Sequence, residues 1–339
     1  MSSAIANNPH AQNLVDYAAT RPDVIVLSGD LTVATECHKF RDAYPERFFG
    51  MGMAEQNMLS WAGGMAREGF KPFVHTFSVF LYRRPYDQLQ MSIAYPNLPV
   101  RLVGFLPGLD TPGGVTHQSI EDIAALRCVP NMTILEAGDA TDVESFLELT
   151  DAIPGPVYLR MLRGEVPRLF DAKDRTVFNR ARSLSQGTDI TLLSSGRCTE
   201  EALRANAAIQ AKGISLNHLH VSTLKPFDDP SILEAVAAPK YGVVTMENHV
   251  RTGGLGSAVA EMMTDHGVGK KLVRIGIQDT YCSGASLPFL MHKHEIDAVA
   301  LIAQVEALIG EKLNITADDL ASVRVEDVKA RSTEQLEAL

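Results

Sequence analysis

Cysteine is scarce in this sequence of 339 residues, and it never occurs at a metal-binding spacing. The four cysteines (Cys37, Cys128, Cys198 and Cys282) lie far apart, with no CxxC pair and no histidine at a zinc-finger distance. Zinc modules and small disulfide scaffolds both need closely spaced cysteines, so these two classes are excluded. We expect core or incidental thiols in a reducing compartment, although the spacing alone leaves a disulfide open.

Long apolar runs and an excess of positive charge are lacking too. No run approaches the roughly 18–20 residues that a helix needs to span a bilayer. The N-terminal MSSAIANNPHAQN lacks the basic and apolar regions of a secretory signal. The formal net charge of −10 argues against an electrostatic grip on nucleic acid or anionic lipid. We expect a cytoplasmic protein without nucleic-acid or membrane partners; a phosphorylated metabolite needs only local donors and remains compatible with this charge.

Hydrophobic residues are plentiful, at 45% of the chain, and they fall into short runs that alternate with helical patterns. This alternation predicts an α/β fold with two doubly wound domains, the first built on a mainly parallel sheet and the second smaller. The length fits two domains of ordinary size. We place them at residues 1–170 and 188–312, joined by a linker of mixed charge at 171–187 and followed by a charged, helix-prone C-terminal extension at 313–339.

Two segments combine a helix start with residues that could serve chemistry. In GMGMAEQNM (residues 50–58), Glu55 falls in the first turn of a predicted helix directly after a short strand. The helix dipole alone favours a carboxylate there by roughly 0.3–1 kcal/mol, which is the plainer explanation. Phe77 and Phe80 stand three residues apart at another predicted helix start, and aromatics at that spacing are more often core residues than a cofactor platform.

Three further side chains lie near predicted strand ends. His117 follows a glycine-rich loop at the expected carboxyl edge of the parallel sheet, where such folds bind ligands, although it could be an ordinary surface histidine. Arg160 and Arg163 follow a strand, and taken alone, surface ion pairs explain both slightly better than a binding role does. The glycines of residues 251–256 do not form a full GxGxxG and lack the expected acidic partner, so a dinucleotide site is weakly supported.

Together and in this order, the segments resemble the C-terminal half of transketolase and of deoxyxylulose-phosphate synthase. The resemblance covers residues 24–308, and its motifs are modest singly but specific as an ordered set. They are GMAEQNM (52–58), HTFSVF (75–80), YDQ (86–88), GVTHQSIEDIAALR (114–127), RMLRG (160–164), STLKPFD (222–228) and the stretch from MENH to GGLGSA (246–258). The first domain would then be a thiamine-diphosphate pyrimidine-binding domain, and the second a transketolase C-terminal-type domain.

The resemblance implies a mechanism. Glu55 would hydrogen-bond N1′ of the aminopyrimidine and stabilise its imino tautomer, whose 4′-nitrogen deprotonates C2 of the thiazolium. Phe77 and Phe80 would line the pyrimidine pocket, and Asp30 and Tyr86 would be further cofactor-binding residues. His117 would stabilise alkoxide charge or transfer a proton.

The resemblance also indicates which residues would contact the substrate and whether this chain would hold the metal. Arg163, with Arg160, would bind the distal anionic group of a sugar phosphate, together with His117. No residue of this chain is expected to be a metal ligand.

A motif of the family that is missing from this sequence implies a partner subunit. The family holds the diphosphate and its Mg²⁺ (or Ca²⁺) through a Gly-Asp-Gly motif on a separate domain, and no Gly-Asp-Gly occurs here. A transketolase is about twice this length, and this sequence starts where its second domain would. We therefore expect a partner subunit that carries the diphosphate-binding domain and most of the metal site. An α₂β₂ heterotetramer, inactive without that partner, is the natural assembly.

Several family positions are changed. Gly113 replaces the aspartate four residues before His117, Phe105 replaces a histidine twelve residues before it, and Ala34 replaces a serine. Arg21 does not match the early phosphate-binding arginine. These losses suggest a ketose donor or aldose acceptor that is branched, deoxygenated or differently charged.

Three alternatives remain at the level of sequence. A 2-oxo-acid dehydrogenase E1 β subunit has a similar length and an AEQ-type motif, but THQSIED and RMLRG fit the sugar-transferring branch better. A split deoxyxylulose-phosphate synthase is less favoured, because that enzyme is normally one chain. A non-catalytic subunit could keep the fold, but the retention of Glu55, Phe77, Phe80 and His117 argues against it.

Overall fold

A computed structural model describes residues 5–321, in which strands and helices alternate along the chain. The strands are β1 (Ile5–Asn7), β2 (Val24–Ser28), β3 (Phe48–Gly50), β4 (Lys71–Phe77), β5 (Arg101–Phe105), β6 (Thr133–Glu136), β7 (Val157–Met161), β8 (Glu165–Pro167), β9 (Arg182–Ser185), β10 (Ile190–Ser194), β11 (Leu216–His220), β12 (Thr223–Lys225), β13 (Gly242–Val250) and β14 (Leu272–Ile277).

The helices connect and cover these strands. They are α1 (Pro9–Ala18), α2 (His38–Ala43), α3 (Glu55–Arg67), α4 (Ser78–Arg83), α5 (Tyr86–Gln88), α6 (Asp122–Arg127), α7 (Ala140–Leu149), α8 (Cys198–Ala211), α9 (Pro230–Ala237), α10 (Leu255–Asp265), α11 (Leu287–Lys293), α12 (Ala298–Ile309) and α13 (Ala317–Ala321). A π-helical turn spans Leu89–Ala94. Within residues 5–321, no helix is both long and apolar enough to cross a membrane.

The first sheet has seven strands in the order β12-β6-β7-β5-β4-β2-β3. All its neighbouring strands are parallel except β12, which runs antiparallel to β6. Strands β2, β5 and β7 are buried along their whole length, which explains their nearly continuous apolar runs. Helices on both faces complete two hydrophobic cores.

The second sheet has five strands in the order β14-β13-β10-β11-β9, and only β9 is antiparallel to its neighbour. Leu192 on β10 packs in one core with residues of α8 and α12. The next residue, Leu193, points to the other face and packs with residues of α9 and α10. The prediction of an α/β fold with two mainly parallel sheets is therefore confirmed.

Local signals set several helix ends. Asp139 caps α7 by accepting a hydrogen bond from the amide of Asp142 at 2.9 Å, and Asp297 caps α12 through the amide of Ala300. Helix α12 ends at Gly310, whose φ of 77° suits a residue without a side chain.

The structure adds features that the alternation of the sequence did not predict. Strand β9 lies inside the segment 171–187, which was predicted to be only a linker, and it forms the edge of the second sheet. Strand β12 comes from the second half of the chain but completes the first sheet. Of the predicted C-terminal extension, the structure describes residues as far as 321, including α13; the rest of that prediction lies outside the described residues.

A buried arginine joins the two halves of the molecule. Arg160, at 0% exposure, forms ion pairs with Asp122, at 2.9 Å, and with Glu136. It also donates to the carbonyl oxygens of Ser119 (3.0 Å) and of Asn248 on β13 (2.9 Å). Burial acts to raise the pKa of Asp122, but the opposing charges of Arg160 and His249 bring it below its usual value.

This network predicts a large stability loss when the cation is removed. Arg160→Met keeps much of the side-chain volume but leaves two buried carboxylates without their counter-ion, so the free energy of unfolding should fall by about 3–5 kcal/mol. Urea denaturation measures it. Arg41→Met, at an exposed surface pair with Asp42, is the control and should change stability little. A loss below about 1 kcal/mol for Arg160→Met would contradict the structural role.

Candidate active site

The candidate site lies at the carboxyl ends of four adjacent parallel strands. In the order β7-β5-β4-β2, these strands lead respectively to Arg163, to the loop that carries His117, to Phe77 and to Asp30. Because parallel strands end at one edge of the sheet, four separate segments of sequence come together at this edge, which is where folds of this kind bind ligands.

An aromatic cluster lies at this edge of the sheet. The rings of Phe77 and Phe80 stack with their centroids 5.9 Å apart and an interplanar angle of 30°. His117 meets both rings edge-on, at 5.4 Å from Phe80 and 6.4 Å from Phe77. The guanidinium of Arg163 lies 5.8 Å from the centre of the Phe77 ring. Four predicted site residues are thus neighbours.

Glu55 reaches this cluster through an arginine. It is the first residue of α3 and only 3% exposed. Its Oε1 accepts a hydrogen bond from Arg84 at 2.6 Å, and the Arg84 guanidinium lies 3.9 Å from the centre of the Phe80 ring. The hydrogen bonds of residues 5–321 leave Oε2 of Glu55 unused. The site therefore offers a buried carboxylate with one accepting oxygen next to stacked aromatic rings.

The loop before His117 is held by the second half of the chain. The Asn248 amide accepts from the backbone N–H of Leu109 (3.0 Å) and donates to the carbonyl of Pro107 and to Asp110. Gly108, with φ of 59°, lies so close to Asn248 that a side chain there would clash. The sequence analysis did not single out Asn248, although it lies in the MENH motif.

Gly113 makes room for the His117 ring. A Cβ atom at residue 113 would lie 3.1–3.2 Å from ring atoms of His117, which is tighter than ordinary contact. On the other side, Thr116 Oγ1 lies 2.9 Å from Nδ1 of the imidazole. A side chain at residue 113 would crowd this ring, so glycine leaves room for the imidazole in this position.

A buried glutamate that the sequence analysis missed supports Arg163. Glu36 accepts hydrogen bonds from the backbone N–H groups of Gly164 (2.7 Å) and His10 (3.1 Å), so it ties the turn after β7 to the start of α1. Arg163 itself donates to the carbonyl of Ala34 at 2.8 Å. The sequence signal for Glu36 was slight, since no local pattern marks an acid held by distant backbone amides.

His10, one of the two backbone donors to Glu36, is paired through its ring with a second histidine, His75. Nε2 of His10 and Nε2 of His75 are 2.9 Å apart, so one ring donates and the other accepts. Burial lowers the pKa of His75 to about 4 and that of His10 well below its ordinary value, so both rings are neutral near pH 7. His10 also meets the ring of Phe105 edge-on, at 5.5 Å.

The remaining predicted site residues are Asp30, Tyr86 and Arg160, and no described contact joins them to the aromatic cluster. Asp30 is exposed at the end of β2, with φ of 67°. The Tyr86 hydroxyl donates to the carbonyl of Ala125 at 2.9 Å, and no described contact joins it to the aromatic cluster. Arg160 does not fit its predicted contact with substrate. It is fully buried, and four groups of the domain junction already occupy its guanidinium.

No group of three or more His, Cys, Asp or Glu side chains in the described part of the chain is arranged to hold a metal ion.

Two parts of the chain match domains of known proteins. Residues 9–168 match the transketolase pyrimidine-binding domain, and residues 179–298 match the transketolase C-terminal domain. The chain therefore belongs to the transketolase family and carries these two of its domains.

Three proteins of known family are similar to this chain over most of its length. The transketolase family protein y4mN of Sinorhizobium fredii is 41% identical, over 89% of this chain and 88% of its own length. A 6-deoxy-6-sulfo-D-fructose transketolase subunit of a Clostridium species is 35% identical, over 88% and 92%. A split-gene transketolase, solved as an inactive β4 tetramer, superposes with a TM-score of 0.80 at 34% identity, covering 90% of this chain and 97% of that one.

Burial of Glu36 predicts a pH dependence of stability. Desolvation raises its pKa from 4.5 to about 7, while hydrogen bonds from Gly164 and His10 and the charge of Arg163 act in the opposite direction. Between these two values the folded chain binds a proton that the unfolded chain has lost. The contribution of Glu36 to stability is therefore complete below pH 4.5 and is lost as the pH rises through about 7.

Urea unfolding of wild type and Glu36→Gln across this pH range tests the effect. The stability of wild type relative to the variant should fall by roughly 1–3 kcal/mol as the pH rises. Glu46→Gln, at a carboxylate that is 70% exposed, should show no such trend. A difference that stays constant, or grows with pH, would show that Glu36 is ionised throughout.

Proposed function

We propose that this chain is one subunit of a split, thiamine-diphosphate-dependent transketolase that moves a two-carbon ketol unit from a ketose to an aldose. The observation that carries the proposal is the assembly of Glu55, Phe77, Phe80, His117 and Arg163 at one sheet edge. A carboxylate, an aromatic wall, an imidazole and an anion-binding arginine are the four functions that the protein must supply around such a cofactor.

The residues present fit the aminopyrimidine end of thiamine diphosphate. Oε2 of Glu55 is an unused acceptor on a side chain that is only 3% exposed, where a hydrogen bond from a ring N–H is stronger than it would be in water. Phe77 and Phe80 offer a wall against which a ring can pack, worth about 0.5–1.5 kcal/mol beyond burial. The hydroxyl of Thr76, at the end of β4, is buried without a hydrogen-bond partner, so it can still donate or accept a hydrogen bond.

The roles of the chain's residues follow from these positions. When bound, the cofactor supplies a carbon nucleophile and an electron sink for breaking and forming carbon–carbon bonds. Glu55 holds the proton shared with N1′ of the ring. His117 donates to, or takes a proton from, oxygen atoms of the sugar that change charge. Arg163, fixed by the carbonyl of Ala34, orients an anionic end of the substrate. Asp30 and Tyr86 lie further out and remain candidate cofactor contacts.

The partner subunit follows from the parts that this chain lacks. The chain holds no Gly-Asp-Gly motif, so we propose that a second chain carries the diphosphate-binding domain and most of the Mg²⁺ or Ca²⁺ site. The likeness to a split-gene transketolase whose β4 tetramer is inactive supports this arrangement. An α₂β₂ heterotetramer would pair each pyrimidine-binding domain with a diphosphate-binding domain.

The altered family positions favour an unusual sugar. Ala34, whose carbonyl oxygen accepts from Arg163, and Phe105 stand where the family resemblance implies a serine and a histidine. Buried Glu36 lies beside Arg163 and offsets part of its positive charge once it ionises, at a pKa that burial raises to about 7. A relative that acts on a sulfonated fructose supports variation at this end of the substrate. We propose a branched, deoxygenated or differently charged sugar as donor or acceptor.

Glu55 provides the first test. In the reconstituted pair of chains, with thiamine diphosphate and Mg²⁺, Glu55→Ala should lower two-carbon transfer by at least about 100-fold, because the ring nitrogen loses its partner. Glu46→Ala, at an exposed carboxylate outside the site, should leave the rate unchanged. Unaltered turnover in Glu55→Ala would support a non-catalytic subunit.

The choice of sugar provides a second test. A panel of ketose donors should include xylulose 5-phosphate and branched, deoxygenated and sulfonated analogues. We expect kcat/KM for xylulose 5-phosphate to be at least about tenfold below that for the best donor, since unpaired or missing polar contacts typically cost that much. Turnover of xylulose 5-phosphate at the full rate would sink the idea of an unusual substrate. Release of carbon dioxide from a 2-oxo acid, without transfer from any sugar, would move the assignment to the dehydrogenase branch.

A further inference from the structure

We propose that Arg84 is a positioning residue that fixes the Glu55 carboxylate and the Phe80 ring relative to each other at the cofactor end of the site. The inference rests on the proposed function. Its basis is geometric: one guanidinium donates to Oε1 of Glu55 at 2.6 Å and lies 3.9 Å from the centre of the Phe80 ring. The two groups expected to meet the aminopyrimidine are thereby coupled to each other.

Arg84 is itself held in place by α3. The side-chain amide of Gln56 donates to the carbonyl oxygen of Arg84 at 3.2 Å, while the Arg84 side chain donates back to Glu55. These reciprocal bonds join the start of α3 to the end of α4. Because Arg84 uses only Oε1, the carboxylate keeps a defined orientation in which Oε2 is available to a ring N–H.

The Arg84–Glu55 pair differs from an ordinary surface ion pair. Arg84 is 45% exposed, but Glu55 is 3% exposed, so removing the arginine leaves a buried carboxylate without a counter-ion. At the Arg41–Asp42 pair, by contrast, both side chains are largely exposed, at 46% and 63%. The planar guanidinium can stack on Phe80 while it binds Glu55, and a lysine ammonium cannot do both with the same geometry.

The neighbouring Arg83 contacts the segment that carries His117. It forms an ion pair with Glu121 and donates to the carbonyl oxygens of Val115 and Gln118, on either side of His117. Two consecutive arginines at the end of α4 therefore support two parts of the site: Arg84 contacts Glu55, and Arg83 contacts the segment around His117.

The experiment measures cofactor binding and activation without any sugar. The reconstituted pair is titrated with thiamine diphosphate in Mg²⁺ by calorimetry, and exchange of the cofactor C2 proton with deuterium is followed by NMR. For Arg84→Gln we expect the dissociation constant to rise about tenfold and C2 exchange to slow by a similar factor, as expected for a lost hydrogen bond to a charged group. Arg84→Lys should recover part of both effects.

Arg41→Gln is the matched control for charge and exposure and should change neither quantity. An unchanged dissociation constant and exchange rate in Arg84→Gln would overturn the proposal. So would tighter binding, since that would mean that Arg84 competes with the ring for Glu55. If Arg84→Gln does not fold, as checked by thermal melting, then Arg84→Lys decides: wild-type values in that variant would contradict the need for a planar, stacked guanidinium.

The result is separable from the proposed transfer reaction. A wild-type pair that binds the cofactor and exchanges C2, but transfers no ketol unit, would refute the proposed function and leave the role of Arg84 standing. A wild-type pair that binds no thiamine diphosphate would contradict both.

Discussion

The buried charge of Arg160 is the constraint on which the arrangement of the two halves depends. Its guanidinium sits between Asp122 and Glu136 of the first half and the carbonyl of Asn248 in the second. Removing one of these acceptors would leave part of a buried cation unpaired, so the network favours the arrangement in which the two halves are docked. Asn248 in turn holds the loop that precedes His117. The C-terminal domain therefore helps to build the candidate site, although it contributes no residue to the aromatic cluster.

The site itself is arranged as a set of supported side chains. Arg84 orients Glu55, and Glu36 ties the turn that follows Arg163 to the first helix. His117 has room because residue 113 is glycine. Glu55, Arg163 and His117 are thus each supported by a neighbouring part of the chain. This is the organisation expected where function needs groups held within a fraction of an ångström.

Much of the fold could be predicted from the sequence, because buried parallel strands give continuous apolar runs and the helices between them give a different period. The grouping of Phe77, His117 and Arg163 was also within reach, since each follows a strand of a parallel sheet. Arg160 was misjudged because a charged residue after a strand is read as exposed, whereas its partners are 24 to 88 residues away along the chain. Glu36 was missed because its partners are also distant in sequence. They are backbone N–H groups, which no sequence motif marks.

The most direct test of this account is an assay of two-carbon transfer by this chain alone, by a chain carrying the diphosphate-binding domain alone, and by the two together. Each sample contains thiamine diphosphate and Mg²⁺ and is given a panel of ketose donors and aldose acceptors. The account predicts transfer only when both chains and the cofactor are present. Transfer by this chain alone, or no transfer by the pair with any sugar under conditions in which it binds the cofactor, would contradict it.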